Sequence, residues 1–301
     1  MRSRGTAGQS RPILIHGPAN AAKAGLAELR VPIFVINLDR SPERLAFMQA
    51  QADRIGLKFE RVSGIDGARA LPQWLSSRFL SETGEIRSRM SSGEVGCYAS
   101  HLVTFAAMIE RKIKAAVVLE DDVTLDADFL RAAQAAIAAA PEGWDCIHLS
   151  TRFKNPCFPV ADLEGQRKLV RFSRMPAGSA AYAISFEGAS KLLAPGLRTR
   201  PFDMEFRYAW LADLDIFGVY PAPAVQESAL PTTIDATWRT KLRGTRLFWQ
   251  RRLPKPRWAP STLSQLTGAI FVKRKLGVIG TLSCWRDECV RLLTRLSPKQ
   301  V

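Results

Sequence analysis

Ala115-Ala116-Val117-Val118-Leu119-Glu120-Asp121-Asp122 passes from apolar to triply acidic without a break. The first five residues are small or branched and read as a strand buried on both faces. Ligands of open α/β sheets bind beyond the carboxyl ends of the strands. The three carboxylates therefore stand where a site would be. Adjacent like charges repel, and a divalent cation with a preference for hard oxygen, Mg²⁺ or Mn²⁺, would neutralise them against a diphosphate. The competing reading is an acidic turn that caps the next helix at its positive end.

The segments around this stretch give the fold class. Val31–Asn37 reads as a first strand. Ser41-Pro42-Glu43 starts a helix, with Ser as N-cap and Pro in the first turn. Leu45, Met48, Ala52 and Ile55 keep helical spacing until Gly56 stops it. Lys58–Val62 is a second strand, which completes a βαβ unit. Further on, Ser92 is expected to cap a helix over Gly93–Lys112, and Asp126–Ala140 reads as an Ala-rich helix ended by Pro141-Glu142-Gly143. Asp145–Leu149, Leu169–Phe172, Ala180–Ile184 and Ile216–Tyr220 read as strands, and Phe186–Leu193 and Asp203–Leu211 as helices. Alternation of this kind predicts an α/β domain with a mainly parallel sheet flanked by helices.

Charge divides the 301 residues unevenly. From Arg239 onward there are 15 Lys and Arg against Asp287 and Glu288, a net +13; the remaining 28 basic and 26 acidic residues leave +2 before it. The predicted organisation is thus a loosely ordered leader over 1–30, a domain over 31–237 and a basic extension over 238–301. The five cysteines, 97, 146, 157, 284 and 289, form no C-x-x-C pair and imply neither a disulfide framework nor a zinc site, and Cys146 reads as core. The apolar run Pro12–Ile15 is too short for a signal-peptide core, and no apolar stretch is long enough to span a bilayer. These features predict a reducing, cytoplasmic setting.

Three segments then converge: Val35-Ile36-Asn37-Leu38-Asp39-Arg40 with Arg44, Gly93-Glu94-Val95-Gly96-Cys97 with Ser100-His101, and Leu119-Glu120-Asp121-Asp122. In that order they resemble glycosyltransferase family 25, which includes bacterial lipooligosaccharide galactosyltransferases and collagen galactosyltransferase domains. Gly178–Ser185, Pro201-Phe202-Asp203, and Pro223, Gln226, Ser228 and Ile234 fit the family's later segments, so the resemblance covers roughly 31–235. It implies a GT-A-like (Rossmann-like) fold, a nucleotide-sugar donor, inverting transfer and a divalent cation at the acidic motif. The strict GT-A signature is Asp-x-Asp, and this chain has Glu120-Asp121-Asp122. Asp122 is the first choice of ligand, with Glu120 or Asp121 second.

Within that resemblance each residue has a chemical role to fill. Asn37 and Asp39 can hydrogen-bond base or ribose, and Arg40 or Arg44 can approach a phosphate. Alternatively Asp39 and Ser41 cap a helix and the arginines are solvated. Gly93 and Gly96 permit close backbone approach at a helix N-terminus, which favours an anion. Glu94 and Ser100 are candidate donor contacts, and His101 is a donor contact or a structural histidine. Cys97 reads as helix-face core. Inverting transfer needs a general base for the acceptor hydroxyl. Asp203 is the leading candidate and Glu205 the second; the alternative for Asp203 is an N-cap. Tyr182 and Trp210 could stack on a sugar or sit in the core.

The extension carries Trp249, Trp258 and Trp285, with Trp238 at its boundary, among its basic residues. Aromatic and basic clusters favour anionic membrane surfaces. This predicts peripheral attachment through 238–301 to the inner face of the cytoplasmic membrane, where a lipid-linked or other glycan acceptor would be met. A solvated extension ranks second. Nucleic-acid binding ranks last, since the body is nearly neutral.

Overall fold

The computed structural model describes residues 31–150 and 157–227, together with 274, 275 and 277. The leader over 1–30 and almost all of the basic extension over 238–301, with its expected membrane attachment, lie outside these residues, as do Ser228 and Ile234.

The βαβ opening forms as expected. Strand β1 (Ile33–Asn37) leads into helix α1 (Pro42–Ile55), whose C-cap Gly56 is left-handed at φ 66°, and the chain returns as strand β2 (Glu60–Ser63). Helix α2 (Gln73–Phe79) was not expected. Helix α3 (Ser92–Glu110) is capped by Ser91, one residue before the expected Ser92. The Ser91 hydroxyl accepts from the Glu94 amide, while the Glu94 carboxylate accepts from the Ser91 amide at 2.8 Å. This reciprocal box outcompetes a cap at Ser92.

Strand β3 (Ala115–Glu120) carries the acidic triplet at its end, and β4 (Val123–Leu125) follows at once. Helix α4 (Phe129–Ala139) starts later than expected because Asp126 and Asp128 are both bonded to Arg167, with Nη2 2.7 and 2.6 Å from their carboxylates. Strands β5 (Cys146–His148), β6 (Cys157–Asp162), β7 (Lys168–Phe172) and β8 (Ala181–Ser185) come next, then helices α5 (Phe186–Leu193) and α6 (Asp203–Arg207). Helix α6 stops short of the expected Leu211; Tyr208 leaves helical geometry, and a 3-10 turn occupies Ala209–Leu211. Strands β9 (Ile216–Tyr220) and β10 (Ala224–Gln226) close the domain.

The main sheet has the order β2-β1-β3-β8-β5-β9-β7-β6. Strands β2, β1, β3, β5, β9 and β6 run one way, and β8 and β7 run against them. The sheet is therefore mostly parallel and flanked by helices, an α/β Rossmann-like architecture consistent with GT-A. Side chains alternate between two apolar layers. Phe34, Ile36, Ala116 and Val118 face the layer of Tyr98, Phe105 and Phe206, whereas Ile33, Val35, Val117 and Leu119 face Met48, Phe129 and Ala136. Both faces are covered, so β1 is buried along its length.

Candidate active site

Parallel pairing brings the carboxyl ends of three strands together. Asn37 ends β1 beside Ser63 of β2, and Ile36 of β1 registers with Glu120 of β3. The loop after β2 packs on the first turns of α3, and a side chain at Gly96 would meet it: a Cβ there would lie 2.4 Å from the Ile65 carbonyl oxygen and 2.6 Å from the Gly67 nitrogen. From the other side β10 pairs antiparallel with β4, placing Gln226 opposite Val123. The cleft between these elements encloses about 160 Å³. Arg40, Arg44, Gly93, Cys97, Ser100, His101 and all three members of the acidic triplet line it.

The three carboxylates have separate surroundings. Asp121 is buried, and both its oxygens are taken: Asn37 Nδ2 donates to Oδ2 at 2.7 Å and Arg44 Nη1 lies 2.8 Å from Oδ1. Asp122 shares the same guanidinium, Nη2 lying 2.8 Å from Oδ2, which Gln226 Nε2 also approaches at 3.4 Å. Its Oδ1 is buried without a hydrogen-bond partner. Glu120 belongs to a third group. Ser179 Oγ donates to its Oε1 at 2.5 Å, and His101 Nε2 lies 3.5 Å away.

Titration behaviour follows these partners. Burial, then the negative charge of Glu120, pushes Asp122 up to about 6 against the opposing pull of Arg44. Asp121 is raised by burial, with Asn37 and Arg44 opposing. For Glu120 burial acts most strongly toward neutrality, yet His101, Ser179 and Arg44 together outweigh it and hold the carboxyl below its usual range.

Asp122 offers a position for a divalent cation. Each Asp121 oxygen already has a protein donor, whereas Asp122 Oδ1 is a buried hard oxygen with no partner and is the one most open to a cation. The profile described as "Glycosyltransferase family 25 (LPS biosynthesis protein)" matches residues 30–200, more than half of the chain. The chain belongs to glycosyltransferase family 25. A "Glycosyltransferase 25 family member" of Drosophila melanogaster is 31% identical over 170 residues, covering 54% of this chain and 27% of that protein. An "Inactive glycosyltransferase 25 family member 3" of Mus musculus is 30% identical over 250 residues, covering 73% of this chain and 40% of that protein. The human protein of the same name is 30% identical over 187 residues, 57% of this chain and 30% of its own length. The chain thus spans less than half the length of these relatives.

Other expected positions of this family 25 chain fall into place unevenly. Asp39 accepts from Arg61 and from Ser63 Oγ, the latter at 2.9 Å; these bonds hold it below the usual carboxylate range. Arg40 pairs with Asp66 across the cleft mouth. Glu94 is the reciprocal cap of α3. Ser100 Oγ donates to the Gly96 carbonyl at 2.7 Å and accepts from the Ile65 amide at 2.8 Å, tying α3 to the loop after β2. His101 is buried, with Nδ1 2.8 Å from the Tyr182 hydroxyl and its ring stacked on Phe202 at 3.9 Å. Cys97 is half-buried; burial, then the charges of Glu120, Asp203 and Asp122, keep it a thiol.

Asp203 and Glu205 are outside the cleft lining. Asp203 is the first residue of α6 and not its N-cap, which is Phe202. Glu205 is buried, and its charge raises the Tyr98 hydroxyl after burial has done so. Tyr182 cannot stack on a sugar, because it is wholly buried in β8. Trp210 packs edge-on against Tyr208 at 5.2 Å.

Asp66, Ser179 and the loop over 64–67 were not predicted as site residues. Asp66-Gly67 follows a parallel strand and was detectable by the same strand-end rule that picked out the triplet. Ser179 and the approach of Gln226 to Asp122 depend on β8 and β10 pairing at long range, which local sequence does not show.

Proposed function

We propose that this chain is an inverting hexosyltransferase that moves a sugar such as galactose from a UDP-sugar to a lipopolysaccharide, lipooligosaccharide or related glycan. Asp122 Oδ1, buried in the cleft without a partner, carries this reading. Asp122 would hold Mn²⁺ or Mg²⁺, which supplies charge stabilisation to the departing diphosphate. Asn37 and Arg44 fix Asp121 and with it the backbone that aims Asp122. Arg40 and Asp39, together with the amide-rich start of α3 at Gly93, flank the space for the nucleotide. Asp203, outside the cleft lining, is proposed as general base, with Glu205 second.

The Mus musculus relative named inactive, aligned over 250 residues, favours a second reading in which the fold binds a sugar nucleotide without turnover. Hydrolysis and transfer should be measured across a panel of UDP-sugars with Mn²⁺, then with EDTA, for the wild type and Asp203→Asn. Metal-dependent turnover of one donor, with transfer falling at least a hundredfold in the variant, is expected. Donor binding without turnover of any sugar would establish the second reading.

Peripheral attachment to the inner face of the cytoplasmic membrane is also proposed, through 238–301. The tryptophans and the net +13 charge of that extension suit an anionic interface. No helix among the described residues is long and apolar enough to cross a membrane. Equal pelleting of the full chain and of residues 1–237 with anionic liposomes would refute attachment through the extension.

A further inference from the structure

Glu120 is the member of the triplet that faces away from Arg44's two bonded carboxylates, toward helix α3. Cys97 and His101 are one helical turn apart on that helix, so their side chains share a face. Cys97 Sγ, a His101 ring nitrogen and a Glu120 carboxylate oxygen all lie within 4.8 Å of one another. His101 is fully buried, and its Nε2 has no hydrogen-bond partner although it lines the cleft.

The 3.5 Å between His101 Nε2 and Glu120 Oε1 is at the outer limit for a hydrogen bond. It is close to the edge of a tetrahedron around a metal with nitrogen and oxygen bonds of about 2.05 Å, which is about 3.3 Å. The other ring nitrogen is already fixed. Nδ1 is 2.8 Å from the Tyr182 hydroxyl, and when Nδ1–H donates to that oxygen the lone pair is on Nε2, toward Cys97 and Glu120. Metal-bound histidines are held this way by a partner on their second nitrogen. Phe202, stacked at 3.9 Å, fixes the plane of the ring.

We propose that Cys97, His101 and Glu120 form a second cation site, distinct from Asp122, that takes a borderline divalent transition metal such as Zn²⁺ or Co²⁺. Thiolate and imidazole donors select such ions over Mg²⁺, whose preference is for oxygen alone. Three protein donors leave a fourth tetrahedral position open toward the cleft. On binding, the metal–sulfur bond forms as the Cys97 thiol proton passes to solvent; no oxidation or reduction occurs. This site uses Glu120, Cys97 and His101 whether or not the chain transfers sugar.

The test is Co²⁺ titration of the full-length, reduced protein, read by absorbance. Cys146 and Cys157 are buried in the core, and Cys284 and Cys289 are replaced by Ser to leave Cys97 as the accessible thiol. A sulfur-to-cobalt charge-transfer band should rise to one equivalent and vanish on Zn²⁺ addition, while a hundredfold excess of Mg²⁺ leaves it unchanged. Cys97→Ser should abolish the band, and Asp122→Asn should keep it. Absence of the band, its survival in Cys97→Ser, or its displacement by Mg²⁺ would each overturn the site. None of these outcomes depends on sugar transfer, which is scored separately with Asp203→Asn.

Discussion

Replacing Arg44 by Met tests how the acidic triplet is held. The guanidinium is 7% exposed and lies 2.8 Å from one oxygen each of Asp121 and Asp122. Breaking a buried ion pair by removing one partner costs about 3–5 kcal/mol, because the remaining charge stays buried. Here two carboxylates lose the same cation, but Asp122 can escape by taking a proton. A deficit of about 4 kcal/mol at pH 8 is therefore expected, a fall in melting temperature of roughly 8–16 °C for a domain of this size. The sign of the pH dependence is fixed by Asp122, whose folded pKa of about 6 already exceeds the ordinary aspartate value of 3.8. A group raised in the folded state contributes stability at low pH that is lost as pH rises through its folded pKa. Loss of Arg44 raises that pKa further, so the deficit should shrink between pH 8 and pH 5. Urea and thermal unfolding followed by circular dichroism at both pH values measure the deficit and the shift in melting temperature. A melting temperature within 2 °C of wild type, or a deficit that grows on acidification, would refute the assignment of Arg44 as resident counter-ion.

Three further outcomes follow from packing and hydrogen bonding. His148 is buried against Phe172 and Phe206, and burial depresses it from 6.5 to about 3. Its stability contribution is complete above pH 6.5 and is lost as pH falls toward 3, so about 2 kcal/mol should disappear between pH 7 and pH 5, and His148→Leu should flatten that part of the stability curve. Gly96→Ala would push a methyl into the Ile65 carbonyl at 2.4 Å; destabilisation of about 1–3 kcal/mol in urea, with weaker UDP binding by calorimetry, is expected. Glu94→Gln keeps the acceptor that closes the Ser91 box. It should leave stability within about 0.5 kcal/mol and donor KM within twofold, whereas a large rise in KM alone would return Glu94 to the donor contacts.

Local chemistry made much of the fold legible. Ser41-Pro42 and Gly56 bracket α1, and the apolar run of β3 is buried on both faces, so both were visible in sequence. Strand β4 was hidden because its three residues pair only with β10, about a hundred residues later. Helix α6 was overextended because its aromatic and apolar residues continue past Arg207 while the backbone turns at Tyr208. At the site, the triplet was legible but its division was not. Arg44 reads as a phosphate contact or a solvated arginine, and its pairing with Asp121 depends on the fold. The bonds that Glu94, Ser100 and His101 make to Ser91, Ile65 and Tyr182 likewise depend on the fold and are not visible in local sequence.

The most direct test of the account is Mn²⁺ binding, measured by electron paramagnetic resonance with UDP present, in the wild type, Asp122→Asn and Asp121→Asn. One tightly bound Mn²⁺ is expected in the wild type and in Asp121→Asn, with at least a tenfold loss of affinity in Asp122→Asn. Wild-type affinity in Asp122→Asn, with the loss falling instead on Asp121→Asn, would contradict it.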